Sequence, residues 1–192
     1  MAHSIRALIE QADDPQAVFD EALRRDFALF MRKAFPAIGS GADLLWNWHL
    51  DAIAFELNRV NDGDIRRLLV TLPPRNLKSI VISVMWPAWM LGRNPKLNFV
   101  CVSYSGELGG KLARQCRTIM EQAWYKRIFP GTIIAPKRSA THDFETSSGG
   151  GRLTTSISGT LTGRGGDIIV IDDPIKPDEA QSETTRGNVN DW

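Results

Sequence analysis

The sequence predicts an α/β fold in which a mostly parallel central sheet is flanked by helices and preceded by a helical region. Three observations predict it. Beyond residue 64, extended apolar runs (Ile65 to Leu72, Leu97 to Tyr104, Ile168 to Ile171) alternate with runs of helical periodicity (Ser79 to Leu91, Gly106 to Ala123). That alternation is what parallel strands with helical crossovers require. Ile168 to Ile171 is short and wholly apolar, which predicts a central strand buried on both faces. Before residue 64 the apolar positions recur at helical spacing only.

Asp14-Pro15 is a helix start, and Val18, Phe19, Ala22, Leu23, Phe27 and Phe30 form one apolar stripe, so a single helix is expected from Pro15 to Ala34, ended by Phe35-Pro36 and the glycines that follow. A second helix is expected from His49 to Val60, with Leu50, Ile53, Ala54 and Leu57 on its apolar side, and Asn61-Asp62-Gly63-Asp64 is a turn. Pro87 lies inside the Ser79 to Leu91 helix and predicts a kink. Phe144 to Thr146 and Arg152 to Ser156 flank a turn and read as a hairpin.

A chain of 192 residues holds one core with a small appendage. Lys plus Arg (23) nearly balance Asp plus Glu (22), so no global field draws the chain to a polyanion and any such contact is local. Cys101 and Cys116 are the only cysteines, too few for a disulfide framework, and a reducing cytoplasm fits. The most apolar window, Ile80 to Leu91, is too short to span a bilayer, and Met1 to Glu10 has no long apolar stretch. Neither export nor membrane insertion is expected.

Two segments carry chemistry. Ile65 to Leu72 runs into Pro73-Pro74-Arg75-Asn76-Leu77-Lys78-Ser79, where a helix is expected to begin. A strand-to-helix turn with a lysine and a hydroxyl suits phosphate, because helix N–H groups, the positive helix end and a side-chain cation converge there. Lys78 is the candidate for the outer phosphates, Ser79 for a magnesium ligand and Arg75 for a second cation. Glycine-rich phosphate loops would place glycine at Leu72 and Leu77, where backbone approaches phosphate closely, and this chain does not. The second segment, Ile168 to Ile171, ends in Asp172-Asp173. In a parallel sheet both segments emerge on one rim, so Lys78 and Asp172 are expected within a few ångströms of each other. Asp172 is the candidate metal carboxylate. Asp173 or Glu179, the latter on a loop bent by Pro174 and Pro177, is the candidate for polarising water. Arg164, between glycines, is a candidate arginine finger for its own or a neighbouring subunit's phosphate. Trp46, Trp48 and His49 either dock the N-terminal helices or form an adenine wall.

Taken in order, Trp48-His49, Arg66-Arg67-Leu68-Leu69, Pro73 to Ser79, Trp86-Pro87-Ala88-Trp89, Cys101 to Ser105, Trp124-Tyr125, Phe129-Pro130-Gly131, Gly159 to Gly165 and Ile169 to Pro174 resemble the ATPase domain of phage terminase large subunits. The resemblance implies a P-loop NTPase fold, truncated before its later strands and without the nuclease domain. Residues 1–44 are then a variable helical lid or docking region, and 45–192 the ATPase domain. It implies a magnesium-dependent ATPase that drives double-stranded DNA into a procapsid. Its cofactors are ATP and Mg2+, and its partners are double-stranded DNA, a portal protein, a terminase small subunit and further copies of itself in a ring. It acts in the host cytoplasm and transiently at the portal vertex. The carried-over site comprises Trp48 and His49 at adenine, Pro74, Arg75, Asn76, Leu77, Lys78 and Ser79 at phosphate, Ser79 and Asp172 at the metal, and Lys78, Arg75, Asp173 and Arg164 in hydrolysis, with Glu179 kept as the second candidate from its own loop. Two alternatives stand beside it: a helicase-like motor, and a non-hydrolysing nucleotide-binding assembly protein.

Overall fold

A computed structural model describes residues 12–39, 41, 43–139, 143–157, 159, 165–176 and 178–191. Helix α1 (Pro15–Arg25) starts as expected: the Asp14 carboxylate accepts from the Ala17 N–H at 3.0 Å and Pro15 fills the first helical position. Asp26 then turns extended and caps a new helix, α2 (Phe27–Ile38), accepting from the Leu29 N–H at 3.0 Å. The single helix expected from Pro15 to Ala34 is therefore two. Pro36 does not end α2 but sits in its last turn. Helix α3 (Trp48–Asn61) exceeds its expected span by one residue at each end and stops before Gly63, whose φ of 84° suits glycine.

From Ile65 to Leu72 the chain forms no strand. Alternate residues still face inward, with Leu68, Val70 and Leu72 packed against the core and Leu69 exposed. A continuous helical run follows: α4 (Lys78–Ile80), a π-helical turn (Val81–Met85) and α5 (Trp86–Arg93). Pro87 lies in the first turn of α5, just past the π turn. Widening the helix there relieves the clash between a proline ring and the carbonyl four residues back.

The remaining elements are β1 (Asn98–Ser103), α6 (Gly106–Met120), α7 (Ala123–Ile128), β2 (Ile134–Ser139), β3 (Phe144–Thr146), β4 (Gly151–Ser156), β5 (Ile168–Asp172) and α8 (Glu183–Asn190). The five strands stand in the order β2-β3-β4-β1-β5. β1 is parallel to β4 and β5, whereas β3 is antiparallel to both β2 and β4. The fold is α/β, but the sheet is small and mixed. This corrects the expectation of a mostly parallel sheet, and with it the P-loop NTPase fold class truncated before its later strands and the Walker A and Walker B labels that accompany that class. Two local facts explain the error. The segment Ile65 to Leu72 stays outside the sheet, and β2, unforeseen because Pro136 interrupts it, extends the expected hairpin on the antiparallel side. β5 is likewise an edge strand, with Ile169 and Ile171 exposed by 61% and 56%.

The core joins the helices to one face of the sheet. Phe27 and Trp89 rings lie 5.2 Å apart, Tyr125 and Phe129 5.0 Å, and Trp86 packs edge-on to Phe99 at 5.7 Å. Their polar ends are satisfied: Trp89 Nε1 donates to Leu23 O at 3.1 Å and Tyr125 Oη to Ala88 O at 2.7 Å. Helix α6 lies close over β4 because Gly109 faces Thr154, where a Cβ would collide with the threonine methyl.

Arg127 on α7 grips Asp20 on α1 through two hydrogen bonds of 2.6 and 3.0 Å. That grip holds the Asp20 carboxyl below its ordinary 3.8, outweighing the opposing effect of burial. A folded-state pKa below the unfolded one stabilises fully above about pH 4 and is lost as pH falls through the folded value. Asp20→Asn is therefore expected to lower the melting temperature at neutral pH, with the gap to the parent closing below about pH 4. Thermal melts across that range check it, and a gap independent of pH would exclude the pairing as its source.

Candidate functional site at the carboxyl ends of the parallel strands

β4, β1 and β5 end side by side at Ser156, Ser103 and Asp172, the rim where ligands enter open α/β sheets. The helical run from Lys78 starts against this rim. Lys78 Nζ lies 2.5 Å from Asp173 Oδ1 and 3.9 Å from Asp172 Oδ1. The lysine and the first acid thus meet within a few ångströms across the fold. Their settings differ: the Asp172 side chain is 7% exposed and that of Asp173 55%. Asp172 Oδ2 accepts from Ser83 Oγ at 3.3 Å. The Asp173 carbonyl accepts from the Tyr104 N–H at 3.2 Å, which ties the exit of β5 to that of β1.

The loop before Lys78 is shaped by its own side chain. Asn76 Nδ2 donates to the carbonyls of Pro73 and Pro74 at 3.0 and 3.3 Å, closing the turn. Arg75, Leu77 and Asp173 have φ of 66°, 62° and 45°, and among the described residues they are the non-glycine residues with positive φ. Each such conformation costs about 1–2 kcal/mol. All three lie within three residues of Lys78 or on its ion-pair partner, a concentration of strain characteristic of ligand-binding sites. Leu77, where a glycine-rich loop would carry glycine, does take the left-handed conformation that glycine favours.

The other candidates are placed unequally. Ser79 is half-buried, and it is Ser83, in the π turn, whose hydroxyl reaches Asp172. Pro74 and Arg75 are exposed at the loop tip. Trp46 has a docking role, with the Arg32 guanidinium 3.7 Å from its ring centroid and its Nε1 donating to Asp51 Oδ2 at 2.8 Å. Trp48 is 76% exposed and meets the His49 ring edge-on at 6.5 Å. His49 Nε2 is buried without a hydrogen-bond partner. Glu179 is exposed and pairs with Lys176 at 3.4 Å. Arg164 lies outside the described residues. Among the described residues, no group of three or more His, Cys, Asp or Glu is arranged to hold a metal ion, and no helix is long and apolar enough to cross a membrane.

Behind the acids lies a buried layer. Burial pushes the Cys101 thiol up, with Arg152 opposing and Asp172 adding to the shift. Burial pushes Cys116 up to about 12. Both are free thiols and stay protonated. Arg152, 1% exposed, is the large charged residue of this layer. The sequence reading missed Ser83 and Arg152. A hydroxyl inside Ile80-Val81-Ile82-Ser83-Val84-Met85 was a usable signal, whereas Arg152 follows three glycines and resembles a surface loop residue.

Fold and site together define an α/β protein with a mixed sheet and a lysine–dicarboxylate centre at the carboxyl ends of its parallel strands. No protein-family model and no curated protein matches the chain.

Leu77→Val puts a β-branched residue at a positive φ and is expected to lower the unfolding free energy by about 1–2 kcal/mol. Leu77→Gly relaxes the backbone while giving up half-buried packing, and is expected to stay within about 1 kcal/mol of the parent. Urea unfolding measures both, and a valine variant as stable as the parent would rule out a strained Leu77.

Proposed function

We propose that this centre binds the triphosphate tail of ATP with magnesium and hydrolyses it, and that the chain is a DNA-packaging motor subunit of the terminase large-subunit kind. The observation that carries the reading is the Lys78 ammonium beside two carboxylates, Asp172 and Asp173, the second of them 95 residues away in sequence. Lys78 also opens a helical run whose first N–H groups have no intrahelical acceptor, a setting that attracts anions.

In this reading Lys78 exchanges Asp173 for the terminal phosphates and offsets the charge that builds on the transferring group. The strained loop turns its backbone toward the phosphate oxygens, and Arg75 supplies a second cation. Asp173, released from the ammonium, accepts the proton of the attacking water, or Glu179 does so from the following loop. Trp48 and the unpartnered Nε2 of His49 face adenine, and Arg164 acts on a neighbour's phosphate. Magnesium takes one or two carboxylates, waters and phosphate oxygens in place of an all-protein cage, so Asp172 and the hydroxyl of Ser79 would fit it without a three-ligand cluster. When bound it neutralises charge on the phosphate tail. Double-stranded DNA meets only local lysines and arginines, since the net charge is +1, and that contact weakens as salt rises. A portal protein, a small subunit and further copies in a ring complete the proposed motor.

A second reading, a nucleotide-binding assembly protein without turnover, is favoured by one observation. The short Asp173 side chain is already engaged by Lys78 at 2.5 Å, which leaves the water without a free base.

The test is magnesium-dependent phosphate release from ATP by the parent and by Lys78→Ala, with double-stranded DNA and portal-bearing procapsids present. Lys78→Ala is expected to lose at least about 100-fold in rate while unfolding within about 1 kcal/mol of the parent. Equal rates would remove Lys78 from the chemistry. ATP binding without release in the parent would favour the second reading.

A further inference from the structure

The π-helical turn Val81–Met85 and the buried arginine behind it have no role in the reading above, and they touch each other. Arg152 is 1% exposed, and a buried guanidinium that finds no compensation is expensive. Its described hydrogen bonds go to no carboxylate: Nη1 donates to Thr154 Oγ1 at 2.5 Å and Nη2 to the backbone carbonyl of Ser83 at 3.2 Å, while Nε has no partner. The Ser83 carbonyl is a particular acceptor. The residue four positions on is Pro87, which has no N–H to return to it. Arg152 therefore supplies from a neighbouring strand a donor that an ordinary helix would supply from within.

What this hydrogen bond holds in place is Ser83, itself 1% exposed, whose hydroxyl donates to Asp172 Oδ2 at 3.3 Å. Arg152 and Asp172 lie on the same face of the sheet. In register Arg152 stands opposite Phe99, Phe99 opposite Ile168, and Asp172 is four residues further along β5. The same helical run places Lys78 Nζ 3.9 Å from Asp172 Oδ1. A π turn carries one residue more than the α-helical turn it replaces, so its loss rotates everything before it relative to everything after it. The downstream half is fixed in the core through Trp86 and Trp89. The half that would rotate carries Lys78.

We propose that Arg152 is a positioning residue for the Lys78–Asp172–Asp173 centre: it clamps the π turn through the Ser83 carbonyl and thereby aims the Ser83 hydroxyl and the Lys78 ammonium at Asp172. The kinetic consequence rests on the ATPase reading, and the geometric consequence does not. Arg152 touches no reacting atom, so its removal alters the arrangement of the centre without removing any of its groups.

The test compares Arg152→Met, Arg152→Lys and Ser83→Ala with the parent and with Asp20→Asn, a control that breaks the α1–α7 pair with Arg127 and touches no part of the clamp. Amide hydrogen exchange reads the π turn, the acylation rate of Lys78 followed by mass spectrometry reads the centre, and ATP turnover reads the chemistry. Arg152→Met is expected to speed exchange at residues 81–88 about tenfold or more relative to the rest of the chain and to raise Lys78 acylation severalfold. It is also expected to lower kcat about 10- to 100-fold with little change in KM. Arg152→Lys, which keeps one donor, should recover most of each effect, and Ser83→Ala should raise acylation and lower kcat while leaving exchange at the turn unchanged. Asp20→Asn should move none of them selectively. Parent-like exchange and acylation in folded Arg152→Met would overturn the proposal. If that variant does not fold, parent-like acylation in Ser83→Ala would overturn it. A parent without turnover would count against the ATPase reading alone, because exchange and acylation would still decide the clamp.

Discussion

The helical run from Lys78 to Arg93 packed on one face of the sheet is the constraint from which the rest of the molecule follows. Val81, Val84, Met85, Trp86, Ala88, Trp89 and Leu91 are buried along it, so its position is set by hydrophobic burial over most of its length. Trp86 meets Phe99 on the central strand, and Trp89 reaches the carbonyl of Leu23 on the first helix. The N-terminal helices, the sheet and the helical run therefore share one core. With its far end fixed, the run has no freedom in where it delivers Lys78, which explains how an ammonium and a carboxylate 95 residues apart are held within contact distance.

That delivery comes at some expense of local stability. Left-handed Arg75, Leu77 and Asp173, a buried Asp172, a buried Arg152 and a π turn would each be disfavoured in isolation. They persist together because each is compensated by a neighbour. Asn76 closes the loop on the proline carbonyls, Lys78 faces both acids, Ser83 serves Asp172, and Arg152 serves the carbonyl that Pro87 leaves open. Consistency of this kind across helix, loop and strand is expected where geometry matters to function more than stability does.

The mixed sheet divides the labour. The parallel strands β4, β1 and β5 present their carboxyl ends to the site, while the antiparallel pairs widen the sheet on the side away from the acids. β5 belongs to both halves of the description: it supplies Asp172 at its end and, as an edge strand, exposes Ile169 and Ile171 along its length.

Much of this was legible in the chain because the signals are local. The Asp14-Pro15 start of α1, the apolar side of α3, the turn at Gly63, the hairpin between β3 and β4, and the candidacy of Lys78, Asp172 and Asp173 all follow from spacing, capping and charge within a few residues. The pairing of strands did not. Short apolar runs bounded by turn residues say that Ile65 to Leu72 and Ile168 to Ile171 are extended, but they do not say what lies beside them, because ladder hydrogen bonds join residues far apart in sequence. So the first stays outside the sheet, the second lies at its edge, and the sheet is mixed. The same limit hid Ser83 and Arg152. Residue type marked one as a hydroxyl in an apolar helix and the other as an arginine after glycines, and only three-dimensional packing, by burying both and removing water as their alternative partner, made each seek the other and the carboxylate at the site.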